Sequence, residues 1–380
     1  MSEQWEPGLT RELRDTLVRH AEEGSVRPTD LVTVQGRAQR IRRNRRVAVA
    51  GGLAAVVVVA APLAVAGLDA LRADGPPPVT ITPHSELKVP YARGTTLVLP
   101  DGSVRELPQK FQEGALLGGD FFGVAGDEGS GELQLTRVDA SGGATDPEIV
   151  WSDLASNQDS SVLVYAKEGG QQVLRDRGGE VDLEAPKTFS ARGVLGGPDC
   201  AAHRDCVVFG STNGVPAILG PDLGVEVPSQ VSRLDDLTRS GLMAVETKQT
   251  ATGPCGGVYD AAAGAMRFEG CQWIPTRFSS DGAHVVAQQQ TYGNLGPSQP
   301  TVGILDSTTG KVLASYEPQK HEVVTSWMWE DTSHVLIQLH RADGWYVLRM
   351  GVGGTTTSAL GPFDNGSDTI AGYTLLGQTM

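Results

Sequence analysis

Hydrophobic positions along this chain fall into three regimes, and each predicts a different kind of element. From Val47 to Leu68 the sequence VAVAGGLAAVVVVAAPLAVAGL runs 22 residues without a charge. At ~1.5 Å per residue, a helix of that length matches the ~30 Å hydrocarbon core of a bilayer. Before it, Leu9, Leu13, Leu17 and Ala21 recur four apart in LTRELRDTLVRHAEE, the apolar face of a short amphipathic helix. Leu31, Val34, Ala38 and Ile41 continue at helical spacing after the helix start signalled by Pro28-Thr29-Asp30. Beyond residue 90 the apolar runs shorten to strand length and are separated by Gly, Asp and Ser.

Those short runs repeat with a period of about 35 to 45 residues, in the range of sheet repeats. The clearest unit, FSSDGAHVVAQQQ followed by TVGILDSTTGKVLASYEP, reads strand, turn, strand, turn, strand, with turns at Asp281-Gly282 and Ser307-Thr308-Thr309-Gly310. VTSWMWEDTSHVLIQLHRADGWYVLRMGVGG repeats the plan, and weaker copies overlie LLGGDFFGVAGDEGSGELQLTRVDASGG, SSVLVYAKEGGQQVLRDRGGEVDL, VVFGSTNGVPAILGPDLGVEVP and TRSGLMAVETKQTATGPCGGVYDAAAGAMRFEG. With VPYARGTTLVLPDGSVRELP in front, the expectation is an all-β domain, a six- or seven-bladed β-propeller over residues 91–380, with DTIAGYTLLGQTM returning a strand to the first blade. A β-sandwich, or paired β domains, is the other fold considered. The Ser-x-Asp-Gly turn before an apolar strand, followed by Asp-x-x-x-Gly, resembles blades of WD40-like and TolB-like propellers, without the Gly-His and Trp-Asp dipeptides of true WD40 repeats.

Charge assigns sides to the apolar span. Six arginines lie between Arg37 and Arg46, with Arg42, Arg43, Arg45 and Arg46 against the span, whereas the 20 residues after it hold only Arg72 and Lys88. The positive-inside rule then places 1–46 in the cytoplasm, makes 47–68 an uncleaved signal anchor, and puts the rest outside. A cleaved signal peptide, suggested by Ala64-Val65-Ala66, fits poorly behind 46 residues of preceding chain. Asp69 to Pro90, with Pro76-Pro77-Pro78 and Pro83, reads as a semi-rigid linker. Residues 1–46 carry about +3, leaving about −17 of the total of −14 on the remainder, which disfavours nucleic acid as a partner. Gly 48 of 380 is about twice average usage and fits a turn-rich fold.

The layout of a short cytoplasmic segment with an LRxxL-type helix, an Arg cluster, an Ala/Val-rich span and a Gly-rich exported domain resembles single-pass membrane proteins of actinobacteria, some similar to anti-sigma factors. The face carrying Leu9, Leu13 and Leu17 reads first as a juxtamembrane helix against lipid headgroups and alternatively as a docking element for a cytoplasmic partner; that such a partner would be regulatory is what the resemblance implies. The zinc-binding His-x3-Cys-x2-Cys motif of such factors is missing, since His20 stands without a cysteine before Cys200.

Candidate chemistry is sparse. Cys200, Cys206, Cys255 and Cys271 all follow the span, and of three connectivities the nearest-neighbour one, Cys200 with Cys206 and Cys255 with Cys271, is favoured because each pair lies within one repeat. Cys200-x-x-His203-x-x-Cys206 offers three zinc ligands but no fourth, so a disulfide beside a surface histidine is expected. Ser85-Glu86-Leu87-Lys88 matches a Ser-x-x-Lys string in the wrong setting for catalysis. Asp364 to Asp368 and Asp127 to Glu132 lack a complete calcium-loop pattern and read as solvated turns. Trp327 and Trp329 alternate on a strand, one against a neighbouring blade and the other a candidate edge of a binding surface. The exported histidines, His84, His203, His284, His321, His334 and His340, form no local pair. No catalytic, cofactor or metal site is predicted. The expected function is a membrane-anchored binding or sensing module for a protein or cell-envelope ligand, with an envelope hydrolase or lyase acting in the propeller channel as the alternative.

Overall fold

The computed structural model describes residues 87–376, apart from 127–131, 152–153, 158, 221–225, 251–252, 290–291, 294–295, 298–299 and 364–372. The predicted span 47–68, the arginines Arg42, Arg43, Arg45 and Arg46, the helix carrying Leu9, Leu13 and Leu17, and Ser85 lie outside the described residues. No helix among the described residues is long and apolar enough to cross a membrane.

Consecutive stretches of chain fold into seven antiparallel meanders, here numbered as blades 1 to 7. Blade 2 is typical: Glu113–Leu117, Asp120–Gly126, Leu133–Val138 and Glu148–Val150 pair in sequence order. Blades 3 and 4 start with Ala155–Ser156 and Phe189–Leu195, and blade 4 has three strands instead of four. Blades 5, 6 and 7 start with Arg233–Leu237, Trp273–Phe278 and Val323–Trp329. Blade 1 takes Tyr91–Arg93, Thr96–Val98 and Val104–Glu106 from the start of the domain and Tyr373–Leu375 from its end, so the C-terminal strand returns as expected.

The second strand of blades 2 to 7 is apolar at successive positions because both its faces are covered. In His334–Arg341, Val335, Ile337 and Leu339 pack toward blade 6 while Leu336 packs toward blade 1. Each such fully buried aliphatic side chain contributes about 1.5–3 kcal/mol. The buried side chains form seven clusters, one for every pair of neighbouring blades. One of them joins Met328 and Trp345 of blade 7 to Tyr373 of blade 1, so the meanders close into a seven-bladed β-propeller. Seven separate sheets, each packed on two neighbours, exclude the sandwich.

Two boundaries differ from the sequence expectation. Packing begins inside the predicted linker: Leu87 is 4% exposed in the cluster joining blades 7 and 1, and the Lys88 N–H donates to Glu330 Oε1 at 2.9 Å. The Lys88 ammonium, 2.5 Å from Asp331 Oδ2, fastens the same segment to blade 7. The repeats also start earlier than the apolar pattern suggests, since Arg233–Leu237 and Trp273–Phe278 precede the units read from Thr238 and Phe278.

Candidate functional site

In blades 2 to 7 the first strand sits at the centre of the ring, and in blade 1 Tyr373–Leu375 takes that place; there strands of adjacent blades meet: Phe189–Leu195 touches the first strands of blades 3 and 5, and Arg233–Leu237 that of blade 6. These inner strands are irregular. The ladder slips at Ala191/Gly193, Leu234/Asp236, Pro275/Arg277 and Val324/Ser326. A bulge re-aims the side chains next to it, and here it brings a set of charges together.

Asp235, skipped by the blade 5 bulge, accepts from Arg233 Nε at 2.8 Å and from Arg192 of blade 4 at 3.5 Å. Arg233 also reaches Glu246 Oε2 at 2.9 Å, its direct partner across the ladder. Asp236 bridges blades: its carboxylate accepts the N–H of Leu237 at 2.9 Å and that of Phe278, on blade 6, at 2.7 Å. Arg277 occupies the corresponding bulge position of blade 6, close enough to act electrostatically on Asp236 and Asp235. Both Asp236 and Arg277 are half-buried. Burial pushes the Asp236 carboxyl up to about 6, against the pull of Arg277 and two backbone N–H groups. Burial likewise draws Arg277 down from its ordinary value, opposed by the two aspartates.

This arrangement presents fixed charge at the ring centre. Both Asp236 oxygens are already engaged by backbone donors, and Asp235 is held between two guanidinium groups, so the carboxylates orient the inner strands and their neighbours. Sequence reasoning passed over this set. Its signal is Arg233-Leu234-Asp235-Asp236, charges directly before a turn in the same phase as Thr276-Arg277-Phe278 before Ser279-Ser280-Asp281-Gly282.

The residues singled out from sequence have distinct fates. Cys200 is disulfide-bonded to Cys206, within the link between the first two strands of blade 4, and Cys255 to Cys271 across the outer half of blade 5. His203 ends the four-residue helix Cys200–His203, and both neighbouring sulfurs are consumed by the disulfide. No group of three or more metal-ligating side chains assembles among the described residues. Trp327 and Trp329 are 7% and 6% exposed, and their indole N–H groups donate to Thr276 Oγ1 at 3.2 Å and to the Arg277 carbonyl at 3.0 Å. Both rings therefore pack against blade 6, and neither edges an open surface. His334 bonds Asp331 and His340 packs on Trp345, both within blade 7, while His284 of blade 6 faces the Thr332 carbonyl of blade 7. Asp364 to Asp368 and Asp127 to Gly131 lie outside the described residues.

No protein-family model matches this chain, and no curated protein matches it. Among solved structures it is similar to the β-propeller domain of the Trilobed protease from Pyrococcus furiosus, at 12% identity and a TM-score of 0.44 over 65% of this chain and 81% of that one.

Proposed function

We propose that this chain is a membrane-anchored binding module, a seven-bladed propeller held outside the cell by the span Val47–Leu68, with residues 1–46 offered to a cytoplasmic regulatory partner. The observation that carries the reading is the pairing of Cys200 with Cys206 and of Cys255 with Cys271. Disulfides persist in oxidising compartments, and every cysteine of the chain follows the arginine-flanked apolar segment. A binding role is further supported by how the ring uses its charges. Aspartates close hairpin turns, and the central set holds adjacent blades together. The layout of residues 1–70, similar to membrane regulators resembling anti-sigma factors, supports the cytoplasmic half of the proposal.

A hydrolase or lyase acting in the channel is the second reading, and it rests on Asp236, a carboxyl pushed up to about 6 on an inner strand. Its occupied oxygens favour binding.

The test uses intact cells with photo-crosslinking residues at Leu13 and at Trp151, a surface tryptophan 55% exposed. Protease added outside should remove the ring and spare residues 1–46. Defined protein adducts are expected at Leu13 from inside and at Trp151 from outside. Protection of the ring from external protease would refute the topology. Absence of any defined adduct at both positions would refute the binding role.

A further inference from the structure

At the seam between blades 5 and 6, one peptide group ties three blades together. The Phe278 N–H donates to Asp236 Oδ2 of blade 5 at 2.7 Å, and the carbonyl of the same peptide unit, that of Arg277, accepts the Trp329 indole N–H of blade 7 at 3.0 Å. A peptide unit is planar and rigid, so its two ends cannot turn independently. A rotation that frees the Asp236 carboxylate swings the carbonyl away from Trp329. The preceding residue is held in the same way, with the Trp327 indole N–H on Thr276 Oγ1 at 3.2 Å, at the position skipped by the blade 6 bulge.

From Trp329 the connection runs one residue on, to Glu330. That carboxylate accepts the Lys88 N–H at 2.9 Å and is paired with Arg349. Lys88 lies where the chain enters the ring, so a continuous series of bonds leads from the charges at the ring centre to the entering segment.

Asp236 is the member of this series whose charge can change. Arg277 of blade 6 and Asp235 of its own strand act on it; Asp235 is held by Arg192 of blade 4 and by Arg233, and Arg233 by Glu246 on the second strand of blade 5. Burial pushes the Asp236 carboxyl up to about 6, so it holds a proton more tightly in this arrangement than in water, where an aspartate titrates at about 4. By linkage, any arrangement that opens the seam and wets Asp236 gains on the closed one as pH rises.

We propose that the seam of blades 5 and 6 is a proton-operated latch, closed in acid and loosened at neutral pH, which passes the state of Asp236 through Trp329 to the segment entering the ring at Lys88. The proton is then a ligand that the ring senses. What the signal means for residues 1–46 rests on the membrane-anchored reading, whereas the latch does not depend on the topology. The ratio of open to closed seam rises about 50-fold between pH 4 and 7, the factor set by the two proton affinities.

Hydrogen–deuterium exchange of the full chain in detergent, resolved to single amides by mass spectrometry and corrected for the intrinsic pH dependence of exchange, tests it. Protection of the Phe278 and Lys88 amides should fall together by about 50-fold from pH 4 to 7. Asp236→Asn should abolish the fall at both amides. Trp329→Phe, which keeps a ring and removes the N–H, should leave the fall at Phe278 and abolish it at Lys88. His284, with its ring 6.3 Å from that of Trp329, and His334, bonded to the Asp331 that pairs with Lys88, also titrate along this route, so His284→Gln and His334→Gln should retain both falls. The latch is overturned by pH-independent protection at Phe278, by an unchanged profile in Asp236→Asn, or by loss of the falls in either histidine variant. The link to the entering segment is overturned by pH-independent protection at Lys88 in the parent, a measurement that needs no variant to fold, or by a folded Trp329→Phe variant with both falls intact. Either negative result leaves the crosslinking and protease results as they stand.

Discussion

At the scale of single residues, acidic side chains in this ring serve two opposite electrostatic situations. Asp101, Asp139, Asp159 and Asp331 each accept the N–H and the hydroxyl of a serine two residues on, and Asp260, Asp281 and Asp306 accept backbone N–H groups across their turns in the same way. Such local bonds make aspartate a turn residue. The Ser103 hydroxyl and N–H hold Asp101 below the ordinary carboxylate range, and the Thr309 hydroxyl and N–H do the same for Asp306. Their contribution is complete above about pH 4 and is lost as pH falls through the lowered folded-state values. Asp236 has the reverse sign: the fold disfavours its charge, so stability is fullest below about pH 4 and falls as pH rises through about 6. Asp236→Asn should therefore be increasingly destabilising relative to the parent as pH is lowered from 7 to 4, the difference growing by about 2 kcal/mol. Urea unfolding of both proteins at several pH values measures this, and a pH-independent difference would show that Asp236 titrates as a solvated aspartate. The Asp-Gly and Asp-x-Ser turns were legible because their chemistry is local in sequence. Asp236 was not, because its shift arises from burial, which depends on chain remote in sequence packed around it.

At the scale of elements, hairpins were readable and inner strands were not, for a definite reason. Strands such as His284–Gln289 and Thr301–Asp306 announce themselves as apolar runs between turn residues. Arg233–Leu237 and Trp273–Phe278 carry RLDDL and WIPTRF, and each contains a bulge that breaks period-two alternation, so the pattern hides the strand. The C-terminal strand shows how much a short element can carry. Tyr373–Leu375 has three residues, yet Thr374 Oγ1 donates to the Phe111 carbonyl at 2.9 Å, and Leu376, 1% exposed, fills the cluster between blades 1 and 2. Leu376→Ala should cost about 2–4 kcal/mol, comparable to Leu97→Ala in the same cluster, although only four residues follow it. Chemical denaturation of the two variants decides the point: a loss below about 1 kcal/mol for Leu376→Ala would mean that the closing strand frays instead of locking the ring.

At the scale of the whole molecule, ring closure ties the beginning of the domain to its end; the returning strand was legible in DTIAGYTLLGQTM, but the contacts it makes were not. Tyr91 and Tyr373 belong to opposite ends of the domain sequence, so the cluster they share has no local signature. The same junction holds the point where the chain enters the ring. Leu87 is buried against Met328 and Trp345, and Glu330, whose side chain is fully enclosed with Arg349 at 2.5 Å, also receives the Lys88 N–H. The linker read as extending to Pro90 therefore ends at least four residues earlier, because Leu87 and Val89 join the cluster between blades 7 and 1. A chain comprising Gly75–Met380 retains these contacts, whereas one starting at Tyr91 loses the buried leucine and the bond to Glu330. The shorter chain should be less stable by about 3 kcal/mol, the sum expected from one buried Leu side chain and one hydrogen bond to a carboxylate. Equal unfolding midpoints for the two chains would place the start of the ring at Tyr91. A clear difference would show that the segment entering the ring is part of the closing junction, with Leu87 and Tyr373 in one packed cluster.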